Sequence, residues 1–250
     1  MENSYDVTGK IHSLETCGTV DGPGIRYVVF TQGCPIRCVY CHNPDTWDAN
    51  GKNALTKSVG ELLPDILKYK SYFKASGGGV TLTGGEPLMQ KEFAAALFKA
   101  CKGEGLHTAL DTSGYAGIDD GTRRVLEHTD LVLLDIKSIN PATFKNVTGF
   151  PIDRTLEFAK HLSDAGIMAW ARFVLVPGLT DDEDELHALA QYLTTLRNID
   201  KVGILAFHQL GAYKWQDLGL DYKLADTPTP SAQETERVRD LFRGYGFEVR

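Results

Sequence analysis

Six short runs rich in β-branched and aliphatic residues recur along this chain, at Arg26–Thr31, Val80–Thr83, His107–Asp111, Leu131–Ile136, Ala169–Val176 and Val202–Phe207. Helical patterns stand between them: Lys91–Glu104, Arg154–Ala165 and Asp182–Leu196 place apolar residues at helical spacing. Ser58-x-x-Glu61 and Thr180-x-x-Glu183 read as capping boxes, and Pro64 is expected to kink or delay the helix that begins near Ser58. Strands alternating with helices imply a parallel sheet, because each parallel pairing needs a crossover that a helix supplies. Six such units make an incomplete barrel, so the predicted class is α/β, a partial (β/α)6 TIM-type barrel. In such barrels chemistry gathers at the C-terminal ends of the strands. There the chain places Cys34, Gly84-Gly85-Glu86, Asp111-Thr112, Asp135-Ile136-Lys137, Pro177-Gly178 and His208. The open edge of the barrel is expected to face a large substrate.

With 250 residues, 42% of them hydrophobic, the chain is long enough for one sizeable core, and it reads as a single domain over 1–250. Residues 1–24 read as an N-terminal extension. The stretch 209–230, with Tyr213, Lys214, Trp215 and Tyr222, is more aromatic than a connector needs and reads as a loop that docks a protein. A net charge of −7 argues against a nucleic-acid partner, which favours a basic face. The polar start Met1–Asp6 lacks the apolar core of a signal peptide, and no run approaches the roughly 18 apolar residues of a membrane helix. A cytoplasmic, membrane-free protein is expected, with a monomer as the default state. In a reducing compartment, clustered cysteines argue for a metal centre over disulfides.

Cys34, Cys38 and Cys41 lie in the run Gly33-Cys34-Pro35-Ile36-Arg37-Cys38-Val39-Tyr40-Cys41-His42. Gly33 and Pro35 favour an irregular loop in which the thiolates can converge. Three readings compete. Cys38-x-x-Cys41-His42 has the form of a haem attachment site, but that reading leaves Cys34 unexplained and such haem is attached after export. A structural zinc site on Cys34, Cys38, Cys41 and His42 would draw its ligands from one run, where such sites use two separated knuckles. The third reading is a four-iron cluster with three protein ligands, whose fourth iron is open to a small molecule; electron-transfer clusters normally have four. Cys17 and Cys101 lie outside the run and read as small buried hydrophobes.

The remaining candidates have bland readings beside functional ones. Gly84-Gly85-Glu86-Pro87 is an ordinary turn sequence, yet a glycine pair lets backbone approach a ligand and a carboxylate can accept from an ammonium. Asp135 and Lys137 share one face of a strand; a surface ion pair between them would contribute little, but pointing inward they would face a charged cofactor. Asp111-Thr112 suits an Asx-turn before Ser113-Gly114. His208 ends the last strand, where a histidine often serves a loop. Arg172 lies on a strand and is costly to bury without a carboxylate, which a bound carboxylate or peptide would supply. Asp21-Gly22-Pro23-Gly24 reads as a tight turn.

The CxxxCxxC run after the first barrel strand, with Tyr40 inside it, resembles that of the radical S-adenosylmethionine superfamily. Three further blocks narrow the resemblance: Ile11-His12-Ser13 with Cys17–Arg26, Cys41-His42-Asn43 with Asp45-Thr46-Trp47, and His208-Gln209-Leu210-Gly211 with Tyr213-Lys214-Trp215. These are similar to the pyruvate formate-lyase activating enzymes from about residue 9 onward. Only 42 residues, none of them cysteine, separate Cys41 from Gly84, so the ferredoxin-like insert of other glycyl radical enzyme activators has no place here. Pro87 stands where this family usually has a small residue.

The resemblance implies a [4Fe-4S] cluster on Cys34, Cys38 and Cys41, with S-adenosylmethionine on its fourth iron. One-electron reduction would yield methionine and a 5′-deoxyadenosyl radical, which takes a hydrogen atom from a glycine Cα of pyruvate formate-lyase. It also implies that Tyr40, Cys41, His42, Gly84, Gly85, Glu86, Asp135, Ile136, Lys137 and His208 surround S-adenosylmethionine. Asp135 and Lys137 would act beside the reacting centre. Asp111, Thr112 and Asp135 would hold a monovalent cation, K+ or Na+, and Asp21, His42 and Arg172 would hold the glycine-bearing peptide. Flavodoxin or ferredoxin would be the reductant. Activation of another glycyl radical enzyme, another radical reaction, an iron-sulfur electron carrier and a zinc-stabilised interaction domain are the alternatives.

Overall fold

The computed structural model describes residues 4–52 and 54–250, so the first three residues of the polar N-terminal stretch lie outside the described residues. The chain divides into two compact units, Met1–Pro35 with Thr46–Leu133, and Ile36–Asp45 with Leu134–Arg250. The first contains strands β1 (Thr8–Gly18), β2 (Arg26–Thr31) and β3 (Leu55–Ser58), helices α1 (Val59–Leu67) and α2 (Lys70–Ser76), then β4 (Gly79–Gly84), α3 (Lys91–Gly103), β5 (His107–Thr112) and α4 (Asp120–Leu126). Strand β6 (Leu131–Asp135) spans the division. The second continues with α5 (Pro141–Thr148), α6 (Asp153–Asp164), β7 (Ala169–Leu175), α7 (Glu183–Thr194), β8 (Ile199–Ala206), α8 (Ala212–Asp217), α9 (Ala232–Gly244) and β9 (Glu248–Val249).

In the first unit β2 pairs in parallel with β4 and β4 with β5, and β1 runs antiparallel between β2 and β3. Strands β2, β4 and β5 are buried almost without interruption, as a parallel sheet covered on both faces requires. Helix α3 supplies one cover, turning Phe93, Ala94, Leu97, Phe98 and Cys101 inward at helical spacing. Arg26, fully buried at the start of β2, places its guanidinium against β4: Nε donates to the Thr81 hydroxyl at 2.9 Å and Nη2 to the Val80 carbonyl at 2.5 Å. The Thr81 hydroxyl in turn donates to the Asp21 carbonyl at 2.6 Å, which fixes the turn before β2.

In the second unit β7 pairs in parallel with β8, and β8 with β9. Tyr40, Val147, Val176 and Phe207 form a buried cluster against which Cys38, Val39, Tyr222 and Leu224 pack. All six predicted strands are present: Arg26–Thr31 has the predicted ends, and no end of the other five moves by more than three residues.

Three expectations need correction. Cys17 is exposed, because it projects outward from the irregular part of β1 between Glu15 and Gly18; Cys101 is fully buried as expected. The box at Ser58 and Glu61 forms, but the cap of α7 is Asp182, which accepts from the Glu185 N–H. Thr180 is engaged elsewhere: its hydroxyl donates to the Val174 carbonyl at 2.8 Å and accepts from the Val176 N–H at 2.8 Å. Helix α1 starts at Val59 without delay and runs through Pro64. Within residues 1–24, Thr8–Gly18 form strand β1. Among the described residues no helix is long and apolar enough to cross a membrane.

Candidate active site

In the first unit the candidate residues follow the C-terminal ends of β2, β4 and β5. The Gly33 N–H donates to the Thr46 carbonyl at 2.7 Å and the Cys34 N–H to the Trp47 carbonyl at 3.3 Å, which shapes the start of the cysteine run. The Gly84-Gly85 pair lies directly on it. Gly85 N–H donates to the Thr31 carbonyl and Glu86 N–H to the Gly33 carbonyl, both at 2.9 Å. Gly84 has φ +105°, and a Cβ on Gly85 would lie 2.3 Å from the Gly33 oxygen, so only glycine admits this approach.

Glu86 is 2% exposed and its carboxylate is occupied by the protein. Oε1 accepts from the Thr112 hydroxyl at 2.6 Å and the Leu88 N–H at 3.2 Å; Oε2 accepts from the Ser113 N–H at 3.0 Å and the Ser113 hydroxyl at 2.6 Å. The Thr112 hydroxyl also accepts from the Gly114 N–H at 3.0 Å, a threonine turn in place of the expected Asx-turn. Asp111, 8% exposed, accepts from the Thr83 hydroxyl at 2.6 Å. Thr83 and Ser113 are not among the sequence-predicted site residues; the signal available was a hydroxyl residue within three positions of an acid at each of two strand ends.

In the second unit the segment Ile36–Asp45 is anchored on the end of α5: the Arg37 N–H donates to the Thr148 carbonyl at 3.3 Å and the Val39 N–H to the Val147 carbonyl at 3.0 Å. A turn closed by Cys41 N–H to the Cys38 carbonyl at 3.0 Å carries the two cysteines. Between them Tyr40 is buried, and its hydroxyl has no hydrogen-bond partner among the described residues. Burial pushes the Cys38 thiol up to about 12, although the Lys137 ammonium pulls the other way. Metal binding, which needs a thiolate, would therefore release a proton here.

Asp135, Ile136 and Lys137 close β6. The Lys137 ammonium lies 2.5 Å from Asp135 Oδ2 and Arg172 Nε lies 3.2 Å from Asp135 Oδ1, with side-chain exposures of only 12% and 21% for the two cations. The carboxylate that Arg172 was expected to receive from a ligand is thus already supplied by Asp135. Burial alone would raise the Asp135 carboxyl, but Lys137 and Arg172 outweigh it and hold it below its ordinary value. Burial likewise opposes the Lys137 charge, and Asp135 outweighs it, raising that group. Ile136 is buried, and its N–H donates to the Arg172 carbonyl at 3.1 Å. The His42 and His208 rings lie with centroids 4.1 Å apart, tilted by 34°, and His42 Nε2 donates to the His208 carbonyl at 3.2 Å. Burial, reinforced by His208, holds His42 below the ordinary histidine value.

Three unbridged, partly accessible thiols in one irregular run, glycine-lined strand ends and a partly buried charge triad define a class. The family model of the radical SAM superfamily matches residues 28–190, and the chain belongs to that superfamily, with its partial (β/α)6 barrel. It is 46% identical to the pyruvate formate-lyase 1-activating enzyme of Escherichia coli strain K12 over 97% of this chain and 98% of that protein. It is 47% identical to the pyruvate formate-lyase-activating enzyme of Staphylococcus aureus strain USA300, over 96% of each. Within the superfamily it therefore falls in the pyruvate formate-lyase activating enzyme family.

Solved structures agree on the fold. Streptococcus suis SuiB bound to its precursor peptide SuiA matches with TM-score 0.66 at 17% identity, over 89% of this chain and 48% of that one. QueE from Escherichia coli matches with TM-score 0.58 at 15% identity, over 97% and 92%.

The superfamily's cofactors are a [4Fe-4S] cluster and S-adenosylmethionine. The donor set suits a cluster: Cys34, Cys38 and Cys41 are unbridged and partly accessible, and Tyr40 presents an orphaned hydroxyl inside the run. No three His, Cys, Asp or Glu side chains among the described residues gather closely enough for a single ion. Thiolates of a cluster bind different irons and need no such convergence.

Proposed function

We propose that this chain activates pyruvate formate-lyase by creating a radical on one glycine of that protein. The observation that carries the reading is near-full-length identity of 46–47% to enzymes of that name, joined to the three unbridged thiols of the cysteine run. Cys34, Cys38 and Cys41 hold the cluster. Bound together and reduced by one electron, the cluster and S-adenosylmethionine supply a 5′-deoxyadenosyl radical and methionine. No protein nucleophile is needed; the chain's task is to bind, orient and exclude water.

The roles divide among the residues described. Gly84 and Gly85 bring backbone against the methionyl end of S-adenosylmethionine, with Glu86 at the same loop. Asp135 and Lys137 offer it a fixed pair of charges, the ammonium toward its carboxylate, with Ile136 between them. Tyr40, His42 and His208 close around the rest. Asp21, His42 and Arg172 receive the glycine-bearing peptide, and Asp111, Thr112 and Asp135 take a monovalent cation, K+ or Na+. A flavodoxin or ferredoxin delivers the electron, and the chain works as a cytoplasmic monomer with one catalytic domain, the stretch 209–230 meeting the partner.

The test is electron paramagnetic resonance on anaerobically reconstituted protein with reductant, S-adenosylmethionine and pyruvate formate-lyase. A glycyl doublet that requires every component supports the reading. 5′-Deoxyadenosine formed without a doublet would move the target to another protein.

A further inference from the structure

Two of the blocks that mark this family meet within the second unit. Trp215 Nε1 donates to the Cys41 carbonyl at 2.9 Å, across 174 residues of sequence. Lys214 Nζ donates to Asn43 Oδ1 at 2.9 Å and lies 3.0 Å and 3.1 Å from the two Asp45 oxygens. Gly211 completes the contact, because a Cβ there would stand 2.7 Å from His42 Cα. Residues 211, 214 and 215 have the spacing of one helix face, so α8 with the residue before it presents a single surface to Cys41, His42, Asn43 and Asp45.

The contact is built to hold. Trp215 is 6% exposed and its ring lies 5.1 Å from that of Tyr222, which packs on the cluster around Tyr40. The Lys214 and Asp45 side chains are 19% and 22% exposed, well shielded for an ion pair. A stretch that reads from its aromatic content as a docking loop thus spends Lys214 and Trp215 inward.

We propose that Lys214 and Trp215 are positioning residues for the iron-sulfur cluster, fixing the last cysteine ligand and setting the cluster's potential. The proposal rests on the reading that Cys41 is a ligand. Groups behind a ligand orient it and tune the metal, and cluster potentials respond to nearby dipoles and charge. Trp215 N–H offsets the negative end of the Cys41 carbonyl dipole, and Lys214 offsets the Asp45 charge. Removing either leaves uncompensated negative potential beside the cluster. That disfavours the added electron and lowers the potential.

The experiment compares wild type, Trp215→Phe, Lys214→Met, Lys214→Arg and, as a control in the same tail, Lys223→Gln at an exposed lysine. Each is reconstituted anaerobically; iron content, the rate of iron loss to a chelator, and the midpoint potential of the cluster are measured. Trp215→Phe and Lys214→Met should take up iron, lose it roughly tenfold faster, the scale of effects from residues behind a ligand, and titrate at a more negative potential. Lys214→Arg, which keeps the charge opposite Asp45, should recover most of both, and Lys223→Gln should match wild type. Unchanged potential and loss rate in both Trp215→Phe and Lys214→Met would overturn the proposal while leaving the cluster in place. A wild-type protein that takes up no iron would overturn the cluster reading, and this proposal with it.

Discussion

Glu86 offers the sharpest test of how the strand-end loops work. Sequence resemblance assigns it to the cofactor, yet its carboxylate already accepts four hydrogen bonds at 2% exposure. Glu86→Gln keeps the shape and replaces one oxygen by an amide nitrogen, which donates. If the nitrogen takes the place of Oε2 it faces the Ser113 N–H, and if it takes the place of Oε1 it faces the Leu88 N–H. Hydroxyls can rotate; backbone N–H groups cannot. Either orientation strands one buried donor at about 1–3 kcal/mol, and the bonds that remain lose their charge assistance, so the sum is roughly 2–4 kcal/mol. For a chain of this size that corresponds to a fall of roughly 4–16 °C in unfolding midpoint. The assay is thermal and urea unfolding of cluster-free protein, paired with calorimetric S-adenosylmethionine binding to reconstituted protein. An unchanged midpoint together with lost cofactor affinity would refute the reasoning and make the carboxylate a ligand.

Asp135→Asn should destabilise cluster-free protein by roughly 3 kcal/mol, because it takes the shared carboxylate from two cations of little exposure; urea unfolding measures it, and a change under about 0.5 kcal/mol would mean the triad is solvated. His107 lies 3.2 Å from Arg26 Nη1, and burial together with that cation holds it below the ordinary 6.5. The unfolded chain then binds more protons between the two values, so stability rises with pH through that window and is lost as pH falls below 6.5. His107→Gln, whose amide oxygen can still accept from Arg26, should flatten this dependence in urea titrations across pH; an unaltered slope would assign the effect elsewhere. Iodoacetamide at mildly alkaline pH should label the exposed Cys17 readily and Cys101 only on unfolding, since burial pushes the latter thiol up to about 12. Peptide mass spectrometry reads both sites, and equal labelling would contradict the packing of α3.

What was legible in the sequence and what was not divides along physical lines. The six barrel strands could be read because each is a short run rich in β-branched and aliphatic residues, and β2 and β4, whose Val, Leu and Thr side chains are buried on both faces, show what such runs become. Strand β1 could not: it pairs antiparallel, its exposure is mixed, and Lys10, His12, Ser13 and Glu15 give it the look of a polar lead-in. The overlap of Thr180-x-x-Glu183 with Asp182-x-x-Glu185 concealed the true cap of α7, because both fit the pattern and only tertiary contacts to Val174 and Val176 remove Thr180 from contention.

The candidate residues themselves stand at strand ends where the pattern put them, but their partners do not follow from pattern. Arg172 called for a carboxylate, and the sequence held several; that Asp135 answers depends on Ile136 bonding the Arg172 carbonyl, a register that local spacing does not encode. The consequence is chemical. A guanidinium already neutralised by Asp135 attracts an incoming peptide less strongly than an unpaired one, but it is held in a fixed direction and needs no reordering when the peptide arrives. Lys137 shares the same carboxylate. Binding a negative group to either cation therefore weakens its hold on Asp135 and strengthens that of the other, so the proposed cofactor and peptide sites are coupled through one side chain. On this argument Asp135→Asn should change the affinities for S-adenosylmethionine and for a glycine-loop peptide together, and reduce the effect of each on the other. Calorimetry of each ligand with and without the other reads the coupling directly, and an undiminished coupling in Asp135→Asn would show that it runs through another group.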